Sequence, residues 1–414
     1  MIRVILSLSL SEFADFIVAL QITFAFLLHF PCWESLGVVE VSIVMPCLNE
    51  AETLATCIRK AHHGAAGLNY EIIVADNGST DGSQNIARSE GARVVDVPVR
   101  GYGAALRAGF EAAQGQYILM GDSDDSYDFS VILPFVEKLR EGYQLVMGTR
   151  MKGKIKPGAM PFLHQYLGNP VLTFLGNLFF GCGLSDFHCG LRAFEREPML
   201  ALNLKTDGME FASEMVIKAT LANLKRTEIP ITLYPDGRSR PPHLRTWRDG
   251  WRHLRFLLLY SPRWLFFYPG LILIAVGLVV SLALLPAPVK IGNVEFDVHT
   301  LLISSTLFVA GVQLAFLAVF ARLYASRAGL LPRRDWLEDL IERFSLEVGL
   351  VTGLILTLTG LILFGIGAGI WVRNDFGELN YQETLRIVIP GTAFVLVGLQ
   401  VFFYSFLISL LSIR

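Results

Sequence analysis

Four acidic side chains follow one short apolar run in YILMGDSDDSYDF: Asp122, Asp124, Asp125 and Asp128. If that run is a strand and stays extended, Asp122 and Asp124 point to the same side, because alternate residues share a face. Two hard carboxylates so placed can hold Mg²⁺ or Mn²⁺, ions that keep further positions for water and phosphate oxygens. A solvated acidic turn is the alternative, and it predicts no phosphate-binding features nearby. Three other clusters also close or follow apolar runs. Pro46, Asn49 and Glu50 come after VSIVM, and Asp76 opens DNGSTDG after EIIVA. The third cluster, RGYGAALRAGFEAAQG, is Gly-rich and opens a helix near Gly103, which would let backbone approach a phosphate or ribose. Singly, the first two read as turns and helix caps. Their succession favours a shared ligand site.

The elements that must position these groups are legible over residues 41 to 237, where short β-branched runs alternate with amphipathic stretches. VSIVMP reads as a strand, EAETLATCIRKA as a helix, EIIVADN as a strand and residues 82 to 90 as a helix. A parallel sheet with helical crossovers is the economical fold. Ligands in such sheets bind outside the carboxyl ends of the strands, where the four clusters fall.

The whole chain has 414 residues, 53% of them hydrophobic and only 17% charged. Its 35 basic and 37 acidic side chains give no global positive excess, which argues against a nucleic-acid partner. Five cysteines, without a CxxC pair, argue against a disulfide framework or structural zinc and suit a reducing cytoplasm. Residues 264–285, 300–321, 349–372 and 387–413 are apolar runs free of charge. Each is long enough to cross ~30 Å of hydrocarbon as a helix, which takes about 20 residues. Arginines 322, 327, 333, 334 and 343 lie between the second and third runs, whereas the other two loops carry Lys290 alone and the pair Arg373 and Arg386. The positive-inside rule then puts the polar half of the chain in the cytoplasm. Residues 16–31 are apolar but short, and fit either a fifth anchor or an interfacial extension.

VSIVMPCLNE, VADNGSTDGS and the DSD of Asp122 to Asp124 together resemble family 2 glycosyltransferases over residues 41 to 260. The resemblance implies an α/β nucleotide-sugar-binding (GT-A-like) domain followed by an all-α membrane domain of four transmembrane helices. It implies that Pro46, Asn49, Glu50 and Asp76 hold base and ribose, and that Asp122 and Asp124 hold metal and donor diphosphate. Within the family the likeness is to polyprenyl-phosphate sugar transferases, through VMGTRMKG, DFHCGLRAF and GRSR. Arg150, Asp186, Arg192, Ser239 and Arg240 are the residues carried over, with Asp124, Asp186, Arg150 and Arg192 in catalytic roles; Arg238, next to Gly237 and ahead of Pro241-Pro242, reads with Arg240 as phosphate-binding from its place in the chain. The sequence departs from the archaeal-type pattern where Ser126 replaces Gln and Arg240 replaces Lys. No Q-x-x-R-W motif of processive synthases is found.

Between Arg238 and Arg263 the chain carries seven arginines and one acid, Asp249. An anionic lipid surface or lipid phosphate is the implied partner. On a helix from 246 to 260, Trp247, Trp251, Leu254 and Leu258 form one stripe, as expected of an interfacial helix. Residues 335–348 form a second amphipathic stretch, with Trp336, Leu340 and Phe344 on one face. The expected organisation is an apolar extension over 1–38, a cytoplasmic catalytic domain over 39–237, a basic interfacial segment over 238–263 and the membrane domain over 264–414. The expected reaction moves a sugar, with inversion, from a UDP- or GDP-sugar to a polyprenyl phosphate at the cytoplasmic face of the membrane. Another lipid acceptor such as diacylglycerol is a second enzyme reading, and a non-catalytic sensor or translocation partner a third. Transport is disfavoured because no ionisable residue lies inside the four runs. Sugar, nucleotide, prenyl length and oligomeric state, a homo-oligomer included, are left open.

Overall fold

The computed structural model describes residues 39–239, 246–329, 331 and 345–412. The N-terminal apolar segment, Arg240 and most of the 335–348 stretch lie outside the described residues.

Strands β1 (Val41–Cys47), β2 (Tyr70–Asp76), β3 (Arg93–Asp96), β4 (Tyr117–Met120), β5 (Leu145–Ile155), β6 (Arg192–Glu195) and β7 (Arg226–Leu233) form one sheet. Their order is β3-β2-β1-β4-β6-β5-β7. β1 pairs in parallel with β2 and β4, β2 with β3, and β5 with β7. The sheet is mixed rather than parallel, because β6 runs antiparallel to both β4 and β5. The chain reaches β6 through the loop at residues 181–191, with no helical crossover after it, and so enters the sheet from the opposite end.

β1 is buried along nearly its whole length, as a strand covered on both faces must be. Ile43 and Met45 face one core with α1 (Leu54–Gly64) and α4 (Leu133–Arg140). α2 (Ser83–Ser89) follows β2 on the same side. Val44 faces a second core with Phe110 of α3 (Tyr102–Ala112), Leu175 of α5 (Asn169–Phe180), Met199 of α6 (Arg196–Ala201) and Met215 of α7 (Phe211–Leu221). Phe256 and Leu257 of α8 (Thr246–Leu259) belong to this second core, so the helix leading to the apolar C-terminal helices is built into the sheet domain.

Four helices are long and apolar enough to cross a membrane: Arg263–Leu284, Val298–Arg327, Leu346–Arg373 and Tyr381–Ser412. They contain α9 (Tyr268–Leu284), α10 (Val298–Arg327), α11 (Leu346–Arg373) and α12 (Tyr381–Ser412), and a hairpin of β8 (Val289–Ile291) and β9 (Val294–Phe296) joins the first two. They pack in the order α9, α10, α12, α11. Small residues permit the approach: a Cβ on Gly353 would meet the Phe402 amide nitrogen at 2.6 Å and the Gly398 carbonyl at 2.8 Å. The helices extend past the charge-free runs, so Arg322 and Arg386 are helical rather than in loops. Arg386 bonds the Leu284 carbonyl and Asp297, tying the ends of α9, α10 and α12 together.

Candidate active site

The loops after β1, β2 and β4 meet at the carboxyl edge of the sheet. Asn49 takes a left-handed conformation (φ 58°); its amide donates to Ser79 Oγ at 2.8 Å and its Oδ1 accepts from the Thr80 amide at 2.8 Å. The first two loops are thereby one surface, and Asn49 serves as its staple. Buried Asp76 accepts through Oδ2 from the Gly78 and Ser79 amides and from Gln84, while its Oδ1 is buried without a partner. Burial works to raise this carboxyl, and the Ser79, Gln84 and Gly78 bonds outweigh it and hold it below the usual range. An ionised carboxylate with one open oxygen at this edge is an acceptor for a donor group of a ligand. Pro46 contributes its carbonyl, which accepts from Ser123 Oγ at 2.7 Å.

Beyond β4 the chain does not continue extended. It bends from Ser123 to Ser126, with Asp125 left-handed at φ 63°. Asp122 and Asp124 are nonetheless close enough to interact as charges. Burial, then the Asp124 charge, pushes the Asp122 carboxyl up to about 6. Tyr102 donates to Asp122 Oδ1 at 2.9 Å, and Ser126 donates to Asp124 Oδ1 from its hydroxyl at 2.6 Å. Ser126, at the position where the sequence departs from the archaeal-type pattern, thus orients the second carboxylate.

Residues after β7 return along this loop as a strap, the Tyr234 amide donating to the Ser126 carbonyl and the Gly237 amide to the Asp124 carbonyl, each at 3.0 Å. The strap delivers Arg238. Its guanidinium lies 2.9 Å from Asp124 Oδ2, 3.1 Å from Glu50 Oε1 and 2.8 Å from Asp236 Oδ2. Ser239 turns instead to Glu52, donating from its amide at 2.7 Å. A cation thus already stands on Asp124, and Asp122 beside it is half-buried and incompletely compensated. Hard oxygen donors with that unmet demand for positive charge fit Mg²⁺ or Mn²⁺. Among the described residues no third His, Cys, Asp or Glu joins them in a metal-holding group.

Arg150 and Asp186 form a second centre. The guanidinium donates to Asp186 Oδ2 at 2.7 Å and Oδ1 at 2.8 Å, and the Arg150 amide and His188 amide add bonds at 3.1 and 3.3 Å. Burial opposes ionisation of Asp186, and the Arg150 bonds and charge prevail, holding it below the usual carboxylate range. His164, at the turn leading into α5, is half-buried; burial, then the Arg150 charge, lowers its pKa. It is a candidate site residue that no sequence motif marked.

Two sequence expectations are placed elsewhere. Arg192 is fully buried, and its three guanidinium nitrogens donate to the carbonyls of Cys189, Ala212 and Phe187. It clasps the loop to α7 and does not reach the cleft. Gly103 faces protein rather than ligand: its amide donates to the Asp207 carbonyl at 2.9 Å, and a Cβ there would stand 2.3 Å from the Thr206 carbonyl. The first-turn amides of α3 that would cradle a phosphate are covered by this contact.

The Arg150–Asp186 centre lies near an apolar surface: the Arg150 charge reaches His164 in the turn before α5, and the Phe187 amide donates to Thr173 Oγ1 on α5. Leu167, Val171, Phe174 and Leu178 form an exposed stripe along α5 and the turn before it, continued by Phe162 and Tyr166. Phe179 stacks on Trp264 at the start of the first membrane span, with ring centroids 5.3 Å apart. Trp247 and Trp251 are exposed on α8, while its other face buries Asp249, His253, Phe256 and Leu257. His253 Nδ1 bonds Ser213 Oγ at 2.8 Å and its ring meets His188 edge-on at 4.6 Å. The sequence does not mark the stripe on α5, because residues 161–181 are apolar on the core-facing side too, which blurs the helical period.

The model of glycosyl transferase family 2 matches residues 42–201, and that of the family 2 C-terminal transmembrane region matches 319–412. The low-salt glycan biosynthesis hexosyltransferase Agl6 of Haloferax volcanii is 38% identical over 377 residues, 90% of this chain and 89% of that protein. The chain belongs to glycosyltransferase family 2. A dolichyl-phosphate hexose transferase of the same organism is 28% identical over 46% of this family 2 chain and 82% of its own. Among solved structures, glucosyl-3-phosphoglycerate synthase of Mycobacterium tuberculosis with Mn²⁺, UDP and glucosyl-3-phosphoglycerate aligns with a TM-score of 0.42 and 25% identity, over 56% of this chain and 84% of that one. This family 2 glycosyltransferase is an integral membrane protein with a GT-A-like catalytic domain.

Proposed function

We propose that the enzyme transfers a hexose from a nucleoside diphosphate sugar to a polyprenyl phosphate at the cytoplasmic surface of the membrane. The observation that carries this is the exposed apolar stripe of α5, whose leading turn holds His164 within reach of the Arg150 charge and whose Phe179 stacks on Trp264 at the start of the first membrane span. A lipid acceptor whose phosphate lies at the headgroup level meets such a surface; a soluble acceptor has no use for it.

The open oxygen of Asp76 and the loop stapled by Asn49 would hold the nucleoside. Asp122 and Asp124 would hold Mg²⁺ or Mn²⁺, which when bound supplies positive charge to the departing diphosphate. Arg238, which now neutralises Asp124, would be released by that charge to pair with diphosphate oxygens, and Arg150 with His164 would receive the acceptor phosphate. A phosphate monoester with a second pKa of ~6 is mostly dianionic at neutral pH. Its oxygen can attack the anomeric carbon from the face opposite the diphosphate without a strong base, and inversion follows. Asp186, whose oxygens are taken by Arg150 and the His188 amide, orients Arg150 in this reading rather than removing a proton.

The test is to incubate membranes containing the enzyme with a panel of labelled nucleotide sugars and either polyprenyl phosphate or diacylglycerol. Label should pass into an acid-labile polyprenyl phosphosugar for one donor. Label in diacylglycerol alone, or in no lipid, would overturn the acceptor assignment.

A further inference from the structure

Asp122 is hydrogen-bonded on one oxygen and closely approached on the other by residues outside the D-x-D segment. Oδ1 accepts the Tyr102 hydroxyl at 2.9 Å. Oδ2 lies against Gly190, where a Cβ would stand only 2.5 Å away, with the Tyr127 ring at 3.0 Å. Tyr102 has little freedom of its own. It is the first residue of α3, and both its neighbours are pinned: the Gly101 amide donates to Asn77 Oδ1 at 2.7 Å, and the Gly103 amide to the Asp207 carbonyl at 2.9 Å. The Gly-rich segment that covers its own amides with residues 206–207 therefore delivers a phenol instead of a phosphate cradle. Gly190 is fixed in turn, since its amide donates to Tyr127 Oη at 2.9 Å.

We propose that Tyr102 is a positioning residue for the metal: its hydroxyl, with Gly190 as the opposing wall, locks the Asp122 carboxylate in the rotation from which it and Asp124 bind a divalent cation together. The inference rests on the reading of Asp122 and Asp124 as metal ligands. A carboxylate at the end of a strand turns freely about its last side-chain bond unless an outer partner fixes it, and loss of such a partner typically costs 10–100-fold in metal affinity. A phenylalanine would keep the ring's packing in the core and lose only the donor.

The experiment titrates Mn²⁺ into the purified full-length protein in lipid nanodiscs with UDP or GDP present, following free Mn²⁺ by its paramagnetic resonance and subtracting nucleotide-only controls. Tyr102→Phe should weaken Mn²⁺ binding 10–100-fold with an unchanged melting temperature, and raise the Mn²⁺ needed for half-maximal transfer in proportion. Gly190→Ala, which pushes on Oδ2 from the other side, should act in the same direction. Mn²⁺ affinity of Tyr102→Phe within threefold of the wild type, while Asp124→Ala abolishes binding, would overturn the role of Tyr102 and leave the metal site standing. Equal Mn²⁺ uptake by the wild type and Asp124→Ala would instead remove the metal reading beneath it.

Discussion

Asp186 accepts four hydrogen bonds, three from Arg150 and one from the His188 amide, so a proton taken there would break the bidentate pair that fixes Arg150. If the acceptor's own ionisation governs the rate, transfer should rise with pH through a group near 6 in the wild type and, at lower amplitude, in Asp186→Asn. The assay is run at saturating Mn²⁺, so that metal keeps Asp122 ionised. Loss of the limb in Asp186→Asn alone would make Asp186 the base. At this scale the sequence reveals residue types better than their partners. Asp76, Asp122 and Asp124 are legible because each carboxylate lies at or within a few residues of the end of an apolar run. Arg192 and Gly103 carry the same motif signal, yet the structure turns one toward the carbonyls of Phe187, Cys189 and Ala212 and the other toward the 206–207 backbone, about a hundred residues on. Tyr102 and His164 belong to no acidic or basic cluster, so only geometry singles them out.

Among the elements, α8 joins catalysis to membrane through a buried polar seam. Burial, only partly opposed by Asp249, lowers the His253 pKa from 6.5 to about 4, and burial with the neighbouring His253, Arg150 and Arg192 charges drives His188 well below its usual value. Both imidazoles are therefore neutral when folded and take up protons on unfolding. Above pH ~6.5 they leave stability independent of pH; from there down toward ~4, His253 alone should remove about 1.4 kcal/mol per pH unit. Thermal unfolding followed between pH 7 and 5 should show a fall at least this steep, and His253→Gln should reduce it by about 1.4 kcal/mol per pH unit while leaving the part that His188 contributes. The helices and strands themselves follow from local pattern: β1 and β2 fall where β-branched runs do, and α8 where its tryptophan stripe does. The direction of β6 does not, because four residues carry no mark of which end of the sheet they enter from.

For the molecule as a whole, the orientation across the membrane is the claim most open to direct measurement. Cysteines placed at Asn293, near the β8–β9 turn, and at Asn380, before α12, should react with an impermeant reagent from outside, whereas one at Ala328 should not. Ala328 is chosen over the neighbouring Ser326, which is buried. The four described endogenous cysteines, Cys47, Cys57, Cys182 and Cys189, are all buried and should give little background. The reverse pattern would put the catalytic half on the other side of the membrane. Four charge-free runs are enough to read the spans, but not their ends: helices continue through Arg322 and Arg386 once a carbonyl, an aspartate or a neighbouring helix is there to receive the charge.

The stacking of Phe179 on Trp264, with the apolar stripe of α5 beside it, ties the catalytic domain to the start of the first membrane span. An acceptor confined to the same sheet of lipid then reaches the enzyme by lateral diffusion in two dimensions. Its effective concentration is a surface density, and the amount per millilitre of buffer does not matter. Diluting polyprenyl phosphate with inert phospholipid, at constant total acceptor, should slow transfer in proportion to mole fraction, whereas diluting the donor should act through bulk concentration alone. A rate indifferent to mole fraction would mean that the acceptor leaves the bilayer before it is used.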